Sequence, residues 1–279
     1  MKKIYTYGGH YARRNLTVAD IVERKAKNVP MTQTTVTNAE EAAAAEAAGI
    51  DMFSMVSEDI HAVRAGAPET FAVSAVMMTS YVTNDEILRE AVRACEAGSD
   101  AIYTCRGFDV VEMLSRQGIA VQGHLGLVPR KSTLVGGLRT VGKTAEEAMR
   151  LFEDFRRLED AGAYAVEVEC VASEALAEIK KHSRLVTHSI GSGPAGDVTF
   201  LFMEDLGGDV ENPPRHAKAF GDMLSIRNQL RAERDTALRA FREAVQERQF
   251  PDAAHSVSMS ALEQEKLKDA LSRWRSVHC

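Results

Sequence analysis

The chain has 279 residues, and 34 Lys and Arg against 40 Asp and Glu give a formal charge of −6. Hydrophobic residues make up 45% and charged residues 27%, the balance of a soluble globular protein. The length suits one α/β barrel domain of roughly 250 residues, and the mild acidity excludes the basic face that nucleic acid or an anionic membrane would need.

The longest nearly apolar run, 71–82, is broken by Ser74, Thr79 and Ser80 and is too short to span a bilayer. Met1-Lys2-Lys3 is followed by Tyr, Gly, His and Arg rather than by the apolar core of a signal peptide. Cys95, Cys105, Cys170 and Cys279 form no CxxC pair. A reduced, cytoplasmic protein acting on a small molecule, without nucleic-acid or membrane partners, is the expectation.

One cadence recurs along the chain: a capped helix, a glycine stop, then a short apolar run. Asn38 with Glu41 opens a helix that stops at Gly49, and Thr83 with Glu86 opens one that stops at Gly98. Thr144 with Glu147 opens a third that ends near Gly162, and Ser173 opens a fourth. The strands read this way are 31–35, 51–56, 70–76, 100–105, 120–125, 164–169, 185–190 and 200–205. Apolar strands alternating with helices imply a parallel sheet, and eight of them imply a closed (β/α)₈ TIM barrel. A doubly wound open sheet would be the other solution, but no GxGxxG follows the first strand. Beyond Gly208 come Asn212-Pro-Pro-Arg215, a long helix over 224–248, a break at Phe250-Pro251-Asp252, and a tail helix over 260–277. Residues 209–279 are therefore expected as a C-terminal helical extension of a single barrel domain. Leu267, Leu271 and Trp274 form a stripe on the tail helix, to dock on the barrel or on a neighbouring subunit.

A barrel enzyme carries its site at the C-terminal ends of the strands. Those ends hold Thr35, Ser57-Glu58-Asp59, Ala75, Cys105-Arg106, His124, Glu169-Cys170, His188-Ser189 and Glu204-Asp205. A carboxylate and an imidazole on different strands make an acid/base pair, although a lone strand-end Glu also serves as partner to a loop donor. The residues alone reach a barrel enzyme with acid/base chemistry.

Gly123-His-Leu-Gly-Leu-Val-Pro129 with Gly136-Gly137, and Ala161-Gly-Ala-Tyr-Ala-Val-Glu-Val-Glu-Cys-Val171, carry a more specific signal. So do Ile190-Gly-Ser-Gly193, Phe202-Met-Glu-Asp-Leu-Gly207, Pro214-Arg-His-Ala-Lys-Ala-Phe220, Phe250-Pro-Asp252 and His255-Ser256. With Leu16-Thr-Val-Ala-Asp20 and Ala62-Val-Arg-Ala-Gly-Ala-Pro68, these segments resemble the ketopantoate hydroxymethyltransferase family, in order, from about residue 16 to 256. The resemblance implies a (β/α)₈ barrel that enolises a 2-oxo acid and adds a one-carbon unit from methylenetetrahydrofolate, with Mg²⁺ on the 2-oxo carboxylate, in a homo-oligomer (a decamer in the family). It also implies Glu169 as the base and His124 as the substrate-contacting imidazole.

The family's acidic metal groups do not carry over. Its Val-Gly-Asp-Ser falls on Met55-Val-Ser-Glu58, placing Ser57 where an Asp ligand stands, with Glu58 next to it. Its second Asp falls on Ala75, its Lys on Tyr103 and its third acidic group on Cys105. A hard cation needs carboxylates, so no metal site is expected and Mg²⁺ is in doubt. The chain is also shorter than the family near Ile60, so a one-residue shift would bring Glu58 or Asp59 to the lost position. Ser57, Glu58, Tyr103, Cys105, Arg106 and His188 are taken as substrate-binding candidates. Arg106 offers a fork for a carboxylate, or else a surface ion pair. Cys105 is a cation-activated thiolate or a space-filler, and His188 faces the pocket or bonds a loop carbonyl. The alternatives are a diverged lyase or hydrolase without folate, or an inactive relative serving as a subunit.

Overall fold

The computed structural model describes residues 2–278, in two compact units that divide between Asp222 and Met223. The first unit opens with an antiparallel hairpin, β1 (Lys2–Tyr5) and β2 (Tyr11–Arg14). Then come α1 (Val18–Ala26), β3 (Met31–Thr35), α2 (Ala39–Ala47), β4 (Met52–Val56), α3 (Ile60–Gly66), β5 (Phe71–Ala75), α4 (Asn84–Glu96) and β6 (Ala101–Tyr103). The series continues with α5 (Phe108–Ser115), β7 (Val121–Gly126), α6 (Ala145–Asp160), β8 (Ala165–Glu169), α7 (Ser173–Ile179), β9 (Val186–Ile190), β10 (Val198–Leu201) and α8 (Met203–Gly207). Strands β3 to β10 close into an eight-stranded parallel barrel, with β10 pairing both β9 and β3. It is the expected TIM-barrel architecture, except that β9 and β10 are joined by the loop 191–197 without a helix.

The helix starts follow the capping chemistry. Thr83 and Glu86 exchange both bonds of a capping box, and Thr17 with Asp20 makes another. Asn38 and Thr144 are N-caps as expected, but their acidic partners turn outward. Glu41 accepts from the Thr37 amide, and Glu147 from the Gly142 and Lys143 amides, so each ties down the loop before its helix.

The eighth strand needs correction. It spans Val198–Leu201, not 200–205, and Phe202 already caps α8. Asp197 fixes its start: the carboxylate accepts from the Thr187 amide and hydroxyl and pairs with Lys25 and Lys180. Glu204 and Asp205 therefore lie in the first turn of α8, where acidic side chains favour the helix dipole, rather than at a strand end.

Side chains alternate between the helical shell and the barrel interior. Val121, Val166 and Val168 face α4 to α7 in the largest apolar cluster, which also holds Phe155 and Leu158. Gly123 lets α6 approach β7: a Cβ there would meet Leu158 at 2.6 Å. That outward glycine sends the next residue, His124, into the barrel. Phe53, Met55 and Ala72 pack outward with α2 and α3. No helix of the described residues is long and apolar enough to cross a membrane.

The second unit contains α9 (Met223–Gln246) and α10 (Ala261–His278), within two residues of the expected bounds. Between them the Phe250 ring packs on Phe241 and His255, and Asp252 caps the turn 253–255. Leu267, Leu271 and Trp274 of α10 are exposed.

Candidate active site

The C-terminal ends of β5 to β8 enclose a cavity of about 190 Å³, lined by Ala75, Tyr103, Cys105, His124, Glu167 and Glu169, with Phe202 and the 128–130 loop at its rim. A larger cavity of about 1000 Å³ opens beside it, lined by Cys170, Ser189, Lys143, Arg215 and His216 among others. The smaller one holds the cluster of acid/base groups.

Strand register builds that cluster. His124 on β7 lies opposite Glu167 on β8, and Glu169 follows two residues later on the same face. At the exit of β7, Gly126 takes φ 90°, and a Cβ there would lie 2.4 Å from the Glu169 carbonyl. The next amide, Leu127, donates to that same carbonyl, which holds the Leu127 carbonyl 2.8 Å from His124 Nε2. A carbonyl only accepts, so Nε2 carries a proton. The other ring nitrogen, Nδ1, lies 2.6 Å from the Tyr103 hydroxyl. Glu169 approaches Nε2 at 3.3 Å and Glu167 approaches Nδ1 at 3.6 Å, so the carboxyl groups flank opposite edges of one imidazole. Tyr103 also reaches Glu167, at 3.4 Å. One nitrogen and one oxygen from each carboxyl lie within 4.8 Å of one another.

Proton affinities follow from this enclosure. Burial raises Glu167 to about 7, and the charge of Glu169 adds to the rise while His124 and Tyr103 offset part of it. Burial works against the His124 imidazolium, but the bond to Glu169, the charges of both carboxylates and the Leu127 carbonyl carry its pKa above the ordinary value. Tyr103 is pushed well up, by burial first and then by Glu167, Cys105 and Glu169. A proton is thus shared around the ring near neutrality, the condition for moving one to or from a bound molecule.

The structure brings Glu169, His124, Tyr103 and Cys105 together as cavity walls and places the other expected residues elsewhere. The Cys105 Sγ lies 3.2 Å from the Met78 sulfur, and burial raises its thiol despite Lys131 and Arg106, so it is a space-filling wall rather than an activated thiolate. Arg106 spends its terminal nitrogens on the carbonyls of Val76, Met77 and Tyr81, at 2.7, 3.0 and 2.5 Å. It pins the loop after β5, and the fork expected for a substrate carboxylate is already engaged. Ser57 is fully buried and donates to Glu58, which also accepts from the Tyr81 hydroxyl; neither lines the cavity, nor does Asp59. His188 sits mid-strand on β9 and points into the barrel interior, with Nδ1 2.6 Å from the Gln33 side-chain oxygen. Its partner is therefore a side chain in the core, not the pocket or a loop carbonyl.

Sequence reasoning missed Glu167. Its signal was there: in Ala165-Val-Glu-Val-Glu169 an acid occupies an inward position of an otherwise apolar strand, where an unpaired carboxylate is costly.

A family model described as ketopantoate hydroxymethyltransferase matches residues 53–253. The 3-methyl-2-oxobutanoate hydroxymethyltransferase of Geobacillus sp. (strain WCH70) is 33% identical over 270 residues, covering 87% of this chain and 94% of its own. The Thermococcus kodakarensis protein of the same name is 32% identical over 268 residues, covering 87% and 91%. Among solved structures, a phosphonopyruvate hydrolase in complex with oxalate and Mg²⁺ superposes with a TM-score of 0.51 at 13% identity, covering 94% of this chain and 98% of its own, a likeness of fold alone. The match over most of its length shows that the chain belongs to the ketopantoate hydroxymethyltransferase family of enzymes.

Proposed function

We propose that this enzyme forms a C–C bond next to the carbonyl of a small 2-oxo acid, by an aldol-type transfer of a hydroxymethyl unit. The observation that carries this reading is the Glu169 carboxylate held 3.3 Å from the His124 imidazole at the wall of a cavity sized for a small acid. Glu169 takes the proton from the carbon next to the carbonyl, and the freed electron pair moves onto the carbonyl oxygen as an enolate. One water releases the donor's one-carbon unit as formaldehyde and leaves tetrahydrofolate. The enolate carbon attacks that formaldehyde, the carbonyl re-forms, and the new alkoxide takes the proton back from Glu169 to become the hydroxymethyl group. The relatives' name supplies 3-methyl-2-oxobutanoate as the acceptor, and the family resemblance supplies methylenetetrahydrofolate as the donor.

The donor set does not suit the family's Mg²⁺. Where the resemblance places its acidic groups stand the Ser57 hydroxyl, bonded to Glu58, the Ala75 methyl and the Cys105 thiol, beside a methionine sulfur. None offers the anionic oxygen a hard cation requires. The two carboxyl groups that do line the cavity flank opposite edges of an imidazole, which suits proton sharing better than a common cation. No step is therefore routed through a metal. The same groups also serve C–C cleavage, since the step is reversible, so a lyase acting on a related carbonyl compound is the second reading. We further propose that the chain works as a homo-oligomer, supported by the exposed Leu267, Leu271 and Trp274 of α10. A monomer in light scattering at micromolar concentration refutes that part.

The test is deuterium exchange of 2-oxo acids in D₂O, followed by NMR. Loss of the proton signal next to the carbonyl of 2-oxoisovalerate is expected with wild type and not with Glu169→Gln. Ketopantoate formation on adding methylenetetrahydrofolate then separates the transferase from the lyase reading, and no exchange with any 2-oxo acid overturns both.

A further inference from the structure

An enolate that forms without a cation needs its charge held by hydrogen-bond donors. Resting on the reading above, we propose that the Glu167 carboxyl and the Tyr103 hydroxyl form a two-donor oxyanion hole for the substrate's carbonyl oxygen. Both line the 190 Å³ cavity, Glu167 almost fully buried and Tyr103 partly so, and they lie 3.4 Å apart, so one acceptor oxygen can come within reach of both. Glu169, the base, lies two residues from Glu167 on the same strand face, so the oxygen and the adjacent C–H are addressed from one side.

A carboxyl group donates only while protonated, and here the enclosure supplies that state. The ionisable groups facing Glu167 are Tyr103 from β6, His124 from β7, Glu169 from its own strand and, opposite it in register on β9, His188, which burial keeps neutral. Ala75, Met77, Met78 and Cys105 close the other side, and burial outweighs the part of the ionisation cost that His124 offsets, with Arg130 out at the rim. Its pKa of about 7 leaves a neutral carboxyl available at physiological pH, and a carboxylic acid kept neutral by an apolar site is a proven oxyanion donor. Tyr103 is free to contribute when His124 is protonated. Nδ1–H then donates to the phenol oxygen, and the phenol O–H turns to the substrate. As Glu169 removes the proton, the electron pair moves onto an oxygen held by these two donors. Neither donor gives up its proton. On re-formation of the carbonyl the charge leaves and the hole relaxes.

Oxalate, a planar mimic of a 2-oxo acid enolate, is the probe, bound to the full chain in the presence of EDTA. Calorimetry near pH 8 in buffers of different ionisation heat reads the protons taken up on binding. Wild type is expected to take up a substantial fraction of a proton, because the bound anion reprotonates Glu167, and Glu167→Gln is expected to take up far less. Glu167→Gln keeps a neutral donor and should hold oxalate affinity and deuterium exchange within about tenfold of wild type. Glu167→Leu should lose about 100-fold or more in exchange, and Tyr103→Phe a comparable amount, the usual cost of one oxyanion donor. Circular dichroism checks that each variant folds. Proton uptake unchanged in Glu167→Gln, full exchange in Glu167→Leu, or oxalate binding abolished by EDTA and restored by Mg²⁺ overturns the proposal. If oxalate binds with Glu167-linked uptake and no 2-oxo acid exchanges, the oxyanion hole stands and the substrate reading falls.

Discussion

Two histidines stand inside one barrel, both almost completely buried, and their surroundings drive them in opposite directions. His124, at the ends of β7 and β8, has a carboxyl group at each edge of its ring, and its pKa lies above the ordinary value. His188, on β9, bonds a neutral amide, Gln33 on β3, and burial pushes it down to about 3 despite the charge of Asp197. Burial alone disfavours an imidazolium, and only paired carboxylates reverse that. The first region is built to exchange a proton, and the second is a neutral part of the core.

The largest expected effect breaks the first region directly. Glu169→Gln keeps the shape and the hydrogen bond toward His124 but removes the base. Deuterium exchange of the 2-oxo acid should fall by about 10³-fold, within the range a positioned general base contributes. His188→Gln, tested in the same assay, should leave exchange close to wild type, since His188 does not line the cavity. Comparable losses in the two variants would mean that the two regions form one functional unit.

Much of this contrast was legible in the sequence, and part was not. The alternation of capped helices with short apolar runs gave seven strands within two residues, because glycine stops and Thr or Asn caps are local signals. The eighth strand slipped because Phe202-Met203 continues the apolar run past Leu201, although the chain has already turned into α8. Glu169 and His124 carry their motif with them. Arg106 and His188 do not: whether a guanidinium meets a ligand or three carbonyls of its own loop is decided by tertiary packing, which spacing along the chain does not encode. Glu167 escaped notice because attention to strand ends passes over an acid two residues inside.

A pH profile sharpens the comparison further. If neutral Glu167 is the working form, exchange should decline as pH rises through about 7, the region to which burial lifts its carboxyl. The apparent value will belong to the coupled cluster rather than to Glu167 alone. In Glu167→Gln the donor no longer titrates, and that limb should flatten. A limb that persists unchanged in the variant would assign it to His124, whose pKa is also raised.

A smaller loss should follow from charging the apolar wall. Ala75→Asp places a carboxylate across the cavity from Glu167 and Glu169, where like charges disfavour each other's ionised forms. Exchange should fall about tenfold in EDTA, on the order of 1.4 kcal/mol of added repulsion. Recovery on adding Mg²⁺ would show that one restored carboxylate suffices to draw a cation into the site, and would move the charge balance from the β8 wall back to β5. No response to Mg²⁺ would show that one carboxylate on β5 does not suffice to draw a cation into the site.

The smallest effect concerns stability and isolates the second region. A histidine whose folded pKa is about 3, against about 6.5 when unfolded, contributes stability that is fully present above pH 6.5 and is lost as pH falls toward 3. Across that window the unfolded chain binds the proton and the folded one resists it, so this one group destabilises wild type by at most about 1.4 kcal/mol per pH unit. Glu167 and His124, with raised values, act with the opposite sign: their contributions are present at low pH and are lost as pH rises through the folded values. His188→Gln should therefore be less stable than wild type at pH 7 by about 1 kcal/mol, the worth of the Gln33 bond and its packing. The gap should narrow or reverse by pH 5, because glutamine has no proton to refuse. Urea unfolding of both proteins at the two pH values measures it. A gap that stays constant with pH would mean His188 is solvated or paired in the folded chain, and the contrast between the two histidines would collapse.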